Sequence, residues 1–217
     1  MPKNPAQIDS SVLHFSAMIS RLLPFVLAMG MAAQASGQAI PRPDVPEKIA
    51  APAGEEVVLQ LHATGAQIYT CQAGADGKYA WTLKGPDADL HDAQGAVAGH
   101  HFAGPTWKLN DGSQVTAKAS AKVDAPEAGA VAWLLLTVTG HSGDGALNRV
   151  TSIQRIHTKG GQPAEECSAA KQNAETKSNY EADYFFFAPP KTSGDLAPPS
   201  GAGSQSAVLK VNFSFEP

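Results

Sequence analysis

From residue 56 onward the chain falls into short segments whose apolar positions recur at every second residue. In 56–63, Val57, Leu59, Leu61 and Ala63 alternate with Val58, Gln60 and His62, the pattern of a strand with one face on a core and the other toward water. Residues 66–71 read the same way, with Gln67, Tyr69 and Cys71 on one side. Asp76 and Gly77 then turn the chain into a strand over 78–83. A loop of turn-formers is expected over 85–95 (GPDADLHDAQG), followed by strands over 96–102, 106–109 and 114–120. Gly104-Pro105 breaks the first pair, and Asp111-Gly112 supplies a hairpin signal between the second.

Further on, the nearly all-apolar run 130–139 predicts a central strand buried on both faces. In 147–157, Val150, Ile153 and Ile156 lie three apart, but β-branched residues between turns favour a strand with an irregularity over a helix. The one credible helix, or else a loop, spans 164–178. Residues 180–187 close the core, and the consecutive Phe185, Phe186 and Phe187 must face both sides of a sheet. Either both sides are covered or one ring is left for a partner. A Pro/Gly/Ser linker follows over 189–207, and 208–217 alternates again, with Leu209, Val211, Phe213 and Phe215 on one face of a last strand. Roughly nine short strands with at most one short helix predict an all-β fold, an antiparallel β-sandwich or barrel.

Composition adds an address. Residues 18–21 (MISR) precede the apolar run 22–33 and the small residues around Ala33, Ala35 and Ala39. These are the parts of a secretory signal peptide, expected over 1–39, with Met18 a possible true start. The run is shorter than the roughly 20 residues a membrane span requires, so no transmembrane span is expected. A mature domain over 40–188 in the periplasm or medium follows, entered through a Pro-rich stretch, 40–54, expected to be extended and partly mobile. The net charge of −4 and the lack of any basic run argue against nucleic acid as a partner. In an oxidising compartment a Cys71–Cys167 disulfide is the default reading, with free thiols or a metal-binding pair as alternatives.

Candidate chemistry is sparse. His100 and His101 are adjacent, so pleating sends them to opposite faces and leaves at most one for a site. One of the two is a candidate, as a metal ligand with help from His62, His91, His141, Asp87, Asp89 or Asp92, or as a catalytic base. Asp111 is explained by its turn, with catalysis the alternative. Arg155, set between Ile153 and Ile156, is read as an ion-pair partner of Asp183 or Glu181, or as an anion clamp. Trp81, Trp107 and Trp133 suit a core better than an aromatic cleft. No dinucleotide fingerprint, GxSxG elbow or metal spacing occurs, so no cofactor is expected.

The ordered combination of GAQIYTC (65–71), Trp81, GHHFAGPTW (99–107), Asp111, Trp133, Arg155, TKGG (158–161), Cys167 and YEADY (180–184) resembles domain-of-unknown-function family 3455, over about residues 45–188. The resemblance implies export and an all-β domain, matches Cys71 and Cys167 to the family's paired cysteines, and puts His101 rather than His100 at its recurring histidine. It implies no activity. The leading expectation is therefore an exported binding or structural β-module, its ligand a glycan or small apolar molecule held near Tyr69 and Trp107. The alternative is a hydrolase or metal-assisted enzyme using His101 with Asp111 and Arg155. None of these patterns bears on oligomeric state.

Overall fold

A computed structural model describes residues 39–192. Eight antiparallel strands run in sequence order around one closed barrel: β1 (Glu56–Ala73), β2 (Tyr79–His91), β3 (Val97–Phe102), β4 (Thr106–Leu109), β5 (Gln114–Val123), β6 (Trp133–Ser142), β7 (Ser152–Gly160) and β8 (Glu175–Ala188). Each strand pairs with its neighbours in the chain. β8 returns to pair along β1 from Glu56↔Ala188 to Thr70↔Glu175, so that among the described residues the sheet closes without an edge strand.

The all-β antiparallel expectation thus resolves to a barrel, with several elements corrected. The described strands number eight; the last expected strand, at 208–217, lies outside the described residues, as do all but the final residue of the signal segment expected over 1–39 and most of the linker. The runs 56–63 and 66–71 form one strand. Gly65 between them is no turn but a close approach of two backbones, because a Cβ there would lie 2.5 Å from the Ala88 Cα. The loop expected over 85–95 is mostly strand: β2 continues to His91, with a register shift opposite Ile68 and Tyr69 that leaves Lys84 unpaired beside Gly85. The helix expected over 164–178 does not form. Only a 3-10 turn at Ala169–Lys171 appears there, and from Glu175 the chain is already paired to β1. The irregular strand expected within 147–157 is β7, whose register shifts after Ile156 where His157 adopts φ 49°.

Alternation now assigns inside and outside. Leu61, Leu90, Leu109, Val115, Ile153 and Phe186 point inward and fill one end of the barrel, helped by Leu147 and Val150 from the loop between β6 and β7. Phe185 and Phe187 point outward, yet both are buried. The Pro-rich entry covers them: Ile40, Val45, Ile49 and Ala51 pack over Val57, Ile156 and the two rings. The segment expected over 40–54 to be extended and partly mobile thus packs on the outside of the barrel. Its proline-restricted backbone is laid down as a strap, fastened where Arg42 donates to the carbonyls of Glu55 and Ala51 and sits 5.0 Å over the Phe187 ring. Gln154 adds a bond from Nε2 to the Ile49 carbonyl, 2.6 Å. Near its start β6 has the same cover on its outer side, at Trp133 and Leu135. Farther along, Thr137 and Thr139 are exposed, so the strand is not buried on both faces throughout.

Cys71 and Cys167 form a disulfide, Cα–Cα 5.5 Å, across 96 positions of sequence. It ties the loop between β7 and β8 to the end of β1, where Cys71 also exchanges backbone hydrogen bonds with Ala174 and Asn173, both 2.9 Å. Among the described residues no helix is long and apolar enough to cross a membrane. The outward positions of β2 to β4 carry Asp87, Asp89, His100 and Lys108, the reverse of the apolar band that a lipid-facing barrel presents.

Candidate functional site

The opposite end of the barrel, where β1, β3, β5 and β7 finish, is only partly filled. A cavity of about 220 Å³ lies there, walled on its apolar side by Leu134, Leu136, Pro86 and Pro105, with Leu83 and Ala119 at the rim. Leu83 is 50% exposed, so the cavity meets solvent past an apolar lip. Gln67, His101, Trp107, Arg155 and Tyr184 supply its polar groups. They come from five different strands, and only closure of the barrel brings them together.

His101 takes the inward place that pleating allows. It is 2% exposed, while His100 points outward between Asp89 and Asp87, at 3.2 and 3.0 Å. The His101 ring stacks on Trp107, centroids 4.2 Å apart and planes 12° from parallel, and meets the Tyr184 ring edgewise at 5.1 Å. Its Nδ1 lies 2.8 Å from the Thr106 carbonyl. A carbonyl can only accept, so the proton sits on Nδ1 and Nε2 is an acceptor. Burial pushes the imidazole down to about 3 against the opposing Thr106 hydrogen bond, and the nearby Arg155 and His100 add to the lowering. His101 is therefore neutral at ordinary pH and a poor base at pH 7.

Arg155 faces inward from β7, opposite Tyr184 on β8. The ion pair expected with Asp183 or Glu181 is not made, because both carboxylates lie on outward positions of β8. Asp183 instead bridges His62 and His157, at 2.8 and 2.9 Å, and Glu181 takes Lys159 at 3.1 Å. The guanidinium donates from Nε and Nη2 to one backbone oxygen, that of Ala132, at 3.2 and 2.8 Å.

Asp111 belongs elsewhere. It sits in the β4–β5 hairpin at the filled end of the barrel, accepting from the backbone and hydroxyl of Ser113 (2.8 and 2.6 Å) and from the Ala146 N–H (2.7 Å). Those bonds, that of Ala146 foremost, hold its carboxyl below the usual range. His101 and Arg155 share one cavity; Asp111 is not among its lining residues. Tyr69 points inward at the open end, but its hydroxyl donates to the Gly161 carbonyl at 2.8 Å and it does not line the cavity. Trp107 does line it while being 1% exposed, so it serves packing and wall at once. Trp81 anchors a loop by donating to the Glu165 carbonyl, 2.6 Å.

Sequence patterning does not single out Gln67, Leu134 and Tyr184 as site residues. Alternation places Gln67 beside Tyr69 and Cys71, but nothing local says that β1 and β8 close around the same space. Among the described residues no group of three His, Cys, Asp or Glu side chains is placed to hold a metal ion. A shallower depression of about 340 Å³ outside the β1–β8 seam, bordered by Thr64, Lys159 and Glu181, has its charges paired to each other. The interior cavity is the better candidate, being enclosed and largely apolar with a few convergent polar groups.

Comparison with known proteins gives one match. A family model described as "Protein of unknown function (DUF3455)" matches residues 52–188, which is the whole barrel. No curated protein matches, and no solved structure does.

Proposed function

The chain belongs to the DUF3455 family, and from the barrel that fills the matched segment we propose an exported binding module that takes a small, mainly apolar ligand into its open end. The observation that carries this reading is the cavity of about 220 Å³ beside Trp107, Leu134 and Leu136. Eight-stranded barrels have an interior that side chains either fill or leave open for one small ligand. An apolar cavity of about 150 Å³ already accepts benzene, so this one accommodates a six-membered ring bearing a small substituent. The wall favours such a molecule over a glycan, whose many hydroxyls need a dense set of paired donors and acceptors. Export is supported by the signal-like pattern over 1–39 and by the disulfide.

The enzymatic alternative gains nothing from the geometry. Its base would be a histidine held down to about 3, and its carboxylate is occupied in the hairpin at the other end.

The test is calorimetric titration with benzyl alcohol at neutral pH. Wild-type protein is expected to bind one molecule. Ala119→Trp, which sets an indole at the rim, is expected to weaken binding by about tenfold or more without lowering thermal stability, since the position is exposed. Equal affinity in the two proteins would place the ligand outside the barrel and end this reading.

A further inference from the structure

The balance of charge inside the cavity goes further. Arg155 brings a permanently ionised guanidinium to a largely apolar wall, and among the described residues no carboxylate pairs with it. The acidic groups of the paired strand β8, Asp183 and Glu181, are engaged on the outside of the barrel by His62, His157 and Lys159. Nor does an aromatic face lie under it, as one does under Arg42. Its acceptors are neutral oxygens, the Ala132 carbonyl and the Tyr184 hydroxyl. A half-buried cation with neutral acceptors alone is poorly compensated, because desolvation costs far more for a charge than for a neutral group.

The neutral groups lean the same way. Gln67 and Trp107, each 1% exposed and each lining the cavity, carry N–H groups (Nε2 and Nε1) that are buried with no hydrogen-bond partner. Tyr184 and Tyr180 bond to each other, hydroxyl to hydroxyl at 2.9 Å. His101 Nε2 and the Gln67 amide oxygen are acceptors on the wall, against the two Gln67 Nε2 hydrogens, the Trp107 indole N–H and the guanidinium of Arg155. Donors thus outnumber acceptors, and the surplus includes the only full charge. That charge is felt widely: it opposes the burial that raises Tyr69 and Tyr184 and reinforces the lowering of His101. Buried orphan donors are rare in folded proteins, and they call for an acceptor from outside.

We propose that the ligand is a small monocarboxylate with an apolar body, its carboxylate held by Arg155 with Gln67 and its hydrocarbon against Leu134, Leu136 and Trp107. This deepens the reading above and rests on it. A planar carboxylate matches the fork of a guanidinium, and ionised hydrogen bonds are about twice as strong as neutral ones. About 220 Å³ leaves room for the carboxylate and a ring-sized body, and excludes a long acyl chain.

The test compares two probes of the same shape, benzoate and benzyl alcohol, by calorimetry at neutral pH. Wild-type protein is expected to prefer benzoate by on the order of ten- to a hundredfold. Arg155→Met, which keeps an apolar stem, is expected to abolish that preference while still binding benzyl alcohol, and Arg155→Lys to retain part of it. Gln67→Leu is expected to weaken benzoate selectively. Binding of both probes with equal affinity by the wild type would overturn the carboxylate assignment and leave the binding reading standing. Retention of the preference by Arg155→Met would overturn it too. Binding of neither probe would overturn both readings. The wild-type comparison needs no variant to fold, and circular dichroism verifies the folding of those that are used.

Discussion

Removing the Cys71–Cys167 bridge is expected to lower the stability of the barrel by about 3–5 kcal/mol. The bridge closes 96 positions of chain, from the last residues of β1 through the whole of β7, and loop-closure entropy rises with the length enclosed. A linkage of that length restricts the unfolded chain strongly. Single domains of this kind are stable by only about 5–15 kcal/mol, so the loss is a large fraction of the total. The bridge also acts locally, holding the β7–β8 loop to the last residues of β1 together with the Cys71 backbone bonds to Asn173 and Ala174. The measurement is urea denaturation of the Cys71→Ala, Cys167→Ala double variant beside wild type, with and without reductant. The variant and the reduced wild type are expected to unfold at the same, lower midpoint. Coincident curves for oxidised and reduced wild type would show that the bridge contributes nothing to stability.

Acid is expected to destabilise the fold through His101. Its folded value of about 3 lies below the ordinary value of 6.5. Between those limits the unfolded chain binds one proton that the folded chain does not. Stability from this group is therefore complete above about pH 6.5 and is lost as pH falls toward 3, at up to about 1.4 kcal/mol per pH unit. From pH 7 to pH 4 the loss is about 3 kcal/mol. The depressed carboxyl of Asp111 adds a loss of the same sign at lower pH. His101→Phe, which keeps a ring against Trp107, is expected to flatten the profile between pH 6.5 and 4 even if it is less stable at pH 7; His101→Gln is the second variant. Imidazole chemical shifts of folded wild type are expected to stay those of the neutral, Nδ1-protonated ring down to pH 4. A parallel loss of stability in wild type and both variants would remove His101 from this role.

Alternation carries much of this architecture, because in a barrel the pleat alone decides which side chain is inside. It allows only one of His100 and His101 inside, and it sends three phenylalanines in a row to both sides of the sheet, so that either both sides are covered or one ring is left for a partner. What alternation does not supply is partnership. The outer cover of Phe185 and Phe187 is the Pro-rich strap, whose composition reads as a loose entry segment until Arg42 and Gln154 are seen to fasten it. Gly65 and Gly85 look like loop residues; one is a backbone crossing and the other marks a bulge inside β2. Arg155 is ambiguous for a related reason. Its acidic neighbours along β8 can be counted from sequence, but their outward facing depends on the register with which β7 and β8 pair. The cavity itself has no local signature, being the space left when five distant strands contribute Gln67, His101, Trp107, Arg155 and Tyr184.

The central claim is that the open end of the barrel holds a ligand, and the most direct measurement is methyl and aromatic NMR of labelled protein with benzyl alcohol. Intermolecular NOEs are expected from the probe to the methyls of Leu134 and Leu136 and to the Trp107 ring, and these are expected to disappear in Ala119→Trp. NOEs confined to outward residues, or none at a saturating probe concentration, would contradict the claim.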